Sequence, residues 1–70
     1  MNYTFRRVHH WVYEVVRHRD KKVVARLVKG SGWHVFSADS KKIIALDIAH
    51  NLDAAKKEFL VIAKKRRGRF

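Results

Sequence analysis

The most constraining feature of the chain is a basic run of alternating residues from Val8 to Ser37, broken by two turns. Trp11, Tyr13 and Val15 share one parity, and Val12, Glu14 and Val16 the other. After the polar break His18-Arg19-Asp20-Lys21-Lys22, Val23, Ala25 and Leu27 alternate with Val24, Arg26 and Val28. A second break, Gly30-Ser31-Gly32, is a strong turn signal because glycine reaches positive φ without a steric penalty. Trp33-His34-Val35-Phe36 follows. β-Branched and aromatic residues at period two, bounded by turn residues, predict strands over 11–17, 23–29 and 33–37.

Folding the first hairpin about Asp20 sets Tyr13 opposite Leu27, Val15 opposite Ala25 and Glu14 opposite Arg26, the last an opposite-charge cross-strand pair. Folding the second about Ser31 sets Leu27 opposite Val35. One face then carries Trp11, Tyr13, Val15, Ala25, Leu27, Trp33 and Val35 and needs a cover. The other carries Val12, Glu14, Val16, Val24, Arg26, Val28, His34 and Phe36, a mixed face.

From Asp39 onward the period changes. Ile44, Ala45, Ile48, Ala49, Leu52, Ala55, Phe59, Ile62 and Ala63 recur at spacings of three and four, which predicts one long amphipathic helix. Asp39 or Ser40 would cap it, and Lys64 to Arg67 would meet the negative end of its dipole. A rival reading makes residues 43–49 a fourth strand, followed by a shorter helix capped by Asn51 or Asp53. Residues 1–10 support either a short helix capped by Asn2 or a backward extension of the first strand through Tyr3 and Phe5. The expected class is α+β: a three-stranded antiparallel sheet packed on one long C-terminal helix. Its 70 residues form a single small domain with a flexible basic tail from about residue 66.

The net charge of +11 is unevenly spread. Residues 1–38 set Arg6, Arg7, Arg17, Arg19, Lys21, Lys22, Arg26 and Lys29 against only Glu14 and Asp20. Residues 39–63 are balanced, and the end adds Lys64, Lys65, Arg66, Arg67 and Arg69. Such a field favours a polyanionic partner. Nucleic acid, a duplex in preference, is therefore the expected ligand. The candidate contacts are Arg17, Arg19, Lys21, Lys22, Arg26, Lys29, Lys41, Lys42 and the terminal run Lys64, Lys65, Arg66, Arg67 and Arg69. Phe36 joins them as the aromatic residue on the mixed face; Trp11, Tyr13 and Trp33 fall on the apolar parity and read as core.

Other classes have less to stand on. There is no cysteine, and His9, His10, His18, His34 and His50 lack a metal-ligand spacing, so neither metal nor cofactor is expected. No base, orienter and pocket suggest catalysis. No apolar run approaches the ~20 residues of a membrane span. A monomer or weak homodimer in the cytoplasm is the expectation. The alternative function is a small basic module or inhibitor acting on an acidic protein surface, through an apolar patch on the mixed face.

Two resemblances bear on this. Tyr13-Glu14-Val15-Val16, the basic hairpin, and Ser40-Lys41-Lys42 ahead of Ala45, Ala49, Ala54 and Ala55 resemble the later two-thirds of a double-stranded-RNA-binding domain lacking most of its first helix. That resemblance implies phosphate contacts from Lys41 and Lys42. The order of three strands and a helix is similar to the arm-type DNA-binding domain of phage integrases. There the resemblance implies readers at Arg19, Lys21, Lys22, Arg26, His34 and Phe36.

Overall fold

In the computed structural model, which describes residues 2–66, the chain is α+β: an antiparallel sheet with one C-terminal helix. The strands are β1 Tyr3–His9, β2 Val12–Arg17, β3 Val23–Lys29, β4 Trp33–Ser37 and β5 Ile43–Ala49, and the helix is α1 Leu52–Lys65. They form one meander in the order β1-β2-β3-β4-β5. The central hairpins have the expected register, with Tyr13 opposite Leu27, Glu14 opposite Arg26, Val15 opposite Ala25 and Leu27 opposite Val35.

The sheet has five strands, not three. Residues 3–9 are strand, the backward extension through Tyr3 and Phe5 and not a short helix: Phe5 pairs with Val15 and Arg6 with Glu14. The larger correction is at residues 43–49, which form β5, as the rival reading had it, and not the first half of a long helix. Asp39 and Ser40 accordingly cap nothing. α1 begins at Leu52, and its N-cap is Asn51, whose side chain accepts the Ala54 N–H at 2.8 Å. An N-cap carboxamide of this kind satisfies one of the helix's orphan donors.

β5 is irregular for a structural reason. Its register jumps twice: Trp33 faces Ala49, Val35 faces Ala45, and Phe36 faces Ile43. Leu46-Asp47-Ile48 is thus bowed opposite His34 alone. The bow is held by Asp47, which sits at φ 52 and donates its N–H to His34 Nδ1 at 3.0 Å. Gly32 lies under it: a Cβ there would come within 2.8 Å of Asp47 Oδ1 and 3.3 Å of the Ala49 carbonyl oxygen. Extra residues in an edge strand bend it and end regular pairing.

The core joins Val15, Ala25, Leu27, Trp33 and Val35 of the sheet to Ala55, Phe59 and Ala63 of the helix. Those helix positions lie four apart, so they form one stripe. Alanines on either side let the helix approach closely enough for Phe59 to be fully buried. The Phe59 ring meets Tyr3 and Phe5 edge-on at 5.5 and 5.8 Å, which anchors β1 to the helix. Trp11 is not core. It sits in the β1–β2 turn at 47% exposure, with Lys29 Nζ 4.5 Å from its ring centroid. Tyr13 is half-buried against Trp33, as its parity requires.

Candidate nucleic-acid interface

A meander alternates its turns between two ends. The β2–β3 loop, the β4–β5 loop and Asn2 share one end; the β1–β2 turn, the β3–β4 turn and the start of α1 share the other. This arrangement gathers Arg19, Lys21, Lys22, Lys41 and Lys42 at a single pole of the sheet.

The two loops are built alike. In the first, Arg17 N–H donates to Lys22 O at 2.8 Å, and Lys21 N–H donates to Arg17 O at 2.8 Å. In the second, Ser37 N–H donates to Lys42 O and Ser40 N–H to Ser37 O, both at 2.9 Å. Each carries one left-handed residue, Lys21 at φ 60 and Ser40 at φ 63. Each also has an aspartate bent back onto its own loop. Asp20 Oδ1 accepts from Lys22 N–H at 3.3 Å, and Asp39 Oδ1 from Lys41 N–H at 3.0 Å. Aspartate does this readily because its short side chain reaches the backbone two residues on.

The acids are thereby spent locally. The Arg17 guanidinium donates from both Nε and Nη2 to the Asp20 carboxylate and holds it well below the usual carboxylate range. Asp39 is lowered by the Ser37 hydroxyl and then by the Lys41 amide. Arg19, Lys21, Lys22, Lys41 and Lys42 are all exposed. None of these five has a carboxylate partner among the described residues. Hairpins two strand spacings apart put the loop centres about 10 Å from each other, close enough for their fields to add at about 0.1 M salt.

The helix adds to this pole. It starts at the opposite end, after β5, and reaches Tyr3 and Phe5 by Phe59. Its last turn, with Lys64 and Lys65, therefore heads toward the loops' end of the molecule. Arg66 is the C-cap, its backbone N–H shared between the Ile62 and Ala63 carbonyls. Arg67, Arg69 and the expected flexible tail lie outside the described residues. Lys41 and Lys42 lie in the β4–β5 loop and do not open a helix, contrary to the expectation of one long helix capped by Asp39 or Ser40.

The remaining candidates lie elsewhere. Arg26 is on the uncovered face of the sheet, 3.5 Å from Glu14 Oε2, and Glu14 also pairs with Arg6. Lys29 is taken up by Trp11 near the opposite end. Phe36 is half-buried on the uncovered face between Arg26 and Ile43, its cross-strand partners. That face also carries Val12 and Val28, half-buried, with Ile43 61% exposed; Leu46, in the bow of β5, is 57% exposed.

Sequence reasoning missed Asn2 and Tyr3. With Arg17, His18 and Arg19 they line a concavity of ≈ 320 Å³ at the basic pole. The strand signal in Tyr3-Thr4-Phe5 was the clue, since it brings the N-terminus beside the first loop. No helix among the described residues is long and apolar enough to cross a membrane. Comparison with protein-family models, curated proteins and solved structures finds no match to this chain.

Proposed function

We propose that the chain is a nucleic-acid-binding module that grips a duplex through its phosphates. The observation that carries this reading is the convergence of Arg19, Lys21, Lys22, Lys41 and Lys42 on two like-built loops at one end of the sheet, with both loop aspartates turned inward. Lys64 and Lys65 extend the same field. Phosphate contacts of this kind supply affinity and orientation without reading sequence. On this reading the chain is an intracellular binding protein, not an enzyme, needs no cofactor and acts as a monomer. The test is fluorescence anisotropy with labelled duplex DNA, duplex RNA and single strands of equal length, each at two salt concentrations. Binding to a duplex that weakens steeply with salt is expected. No binding at low salt, or binding indifferent to salt, refutes the proposal.

A second reading rests on the uncovered sheet face. Phe36 and Ile43, with Val12 and Val28 and the exposed Leu46 of β5, make an apolar surface suited to an acidic protein partner or a second copy. Size-exclusion chromatography separates the two. A dimer abolished by Phe36→Asp favours the second reading, and a monomer favours the first.

A further inference from the structure

We propose that the concavity between the start of β1 and the β2–β3 loop binds a phosphomonoester: the phosphorylated end of a strand, or a free nucleoside monophosphate. For the strand end, this rests on the nucleic-acid reading above. The lining residues are Asn2, Tyr3, Arg17, His18 and Arg19, two of them arginines and none acidic; the Asp20 carboxylate is held by Arg17 from the loop side. Its volume of ≈ 320 Å³ lies at the lower end of the range that takes small ligands, about 300–1,000 Å³.

The walls are set before any ligand arrives. His18 N–H donates to the Asn2 carbonyl at 2.9 Å, and the His18 ring pairs with the Thr4 hydroxyl. Tyr3 is wedged against Phe59. Arg17 is oriented by Asp20 through Nε and Nη2, and its Nη1 has no hydrogen-bond partner among the described residues. Arg19 is exposed and has no carboxylate partner among the described residues.

The choice of a monoester follows from supply and shape. An internal diester offers two free oxygens and one charge, and its chain must leave in both directions, which suits the convex loops. A monoester offers three oxygens and a charge of about −1.5 to −2 at neutral pH. It can use more of these donors and needs only one exit. Arginine forks are the side chains that best match such a group.

The experiment compares labelled duplexes of equal length with 5′-phosphate, 3′-phosphate or hydroxyl ends, and uses free nucleoside monophosphate as competitor. One phosphorylated end is expected to bind about tenfold tighter than the hydroxyl end. Arg19→Gln should bring that ratio close to one. Lys41→Gln with Lys42→Gln should weaken all ends together and keep the ratio. Displacement of the phosphorylated duplex by micromolar mononucleotide would assign the pocket to the free nucleotide and support the same chemistry. Equal, salt-sensitive affinity for every end, with no effect of mononucleotide, overturns the pocket and leaves the wider reading standing. No binding of any duplex or of mononucleotide sinks both.

Discussion

Replacing the paired lysines of the β4–β5 loop, Lys41→Gln with Lys42→Gln, separates contact from mere charge. On a B-DNA duplex each neutralised phosphate contributes about 0.9 to the slope of log affinity against log salt. The basic pole offers Arg19, Lys21, Lys22, Lys41 and Lys42 on its loops and Lys64 and Lys65 on the helix end, none with a carboxylate partner among the described residues. If all of them meet phosphates, the wild-type slope is about −6. Removing two contacts makes it shallower by about 1.8. Arg26→Gln removes one charge from a different environment: its guanidinium shares Glu14 with Arg6 on the uncovered face, away from the loops. That variant should leave the slope unchanged to within about 0.3. Anisotropy titrations at several salt concentrations give the slopes, and circular dichroism confirms that each variant is folded. An unchanged slope for the double lysine variant would refute the placement of the interface at this pole. A slope loss at Arg26 equal to that of one loop lysine would move the interface onto the sheet face.

Three further outcomes follow from the same geometry. Phe59→Ala should cost about 3–5 kcal/mol, most of what a domain this small possesses; a urea midpoint close to wild type would mean the helix does not hold the sheet as described. Asn51→Ala should cost about 1 kcal/mol while Asn51→Asp keeps most of the cap, read by urea denaturation, and equal losses would remove the capping role. Asp20 and Asp39 titrate below their ordinary range, so what they contribute is complete above the unfolded carboxylate pKa near ~4 and drains away as pH falls below it. Thermal melts from about pH 5 to about pH 2.5 should therefore fall further for the wild type than for Asp20→Asn with Asp39→Asn, and parallel losses would contradict the loop geometry.

The hairpins around Asp20 and Ser31 were legible because strict alternation specifies register wherever one face is buried. The β2–β3 loop was half legible: Asp20 beside lysine in a polar break signalled a turn, but not that the acid would fold inward, whereas Asp39 read as a helix cap and its loop was missed. β1 was obscured because only Tyr3 and Phe5 face the core, while Arg6 to His10 are exposed as an edge segment should be. β5 was legible only as the rival to a long helix, for a sharper reason. Its two register shifts put Ile44, Ala45, Ile48 and Ala49 against the core, and those spacings are the ones a helix would show. The period of an amphipathic helix was imitated by a bent strand. The pocket was invisible because it depends on the N-terminus lying beside a loop fifteen residues on, which only the β1–β2 pairing reveals.

A polyanion that collects many copies of a positively charged chain raises their local concentration far above that of free solution. Strand edges then become hazards, because neighbouring copies can zip together backbone to backbone. The bowed β5, with Asp47 forced to φ 52 at its crest, offers no straight row of amides for a neighbour to copy. On the opposite side β1 exposes Arg7, where an approaching duplicate would bring the same charge. Crowded along a common template, the copies would stay separate beads and not fuse into a ribbon.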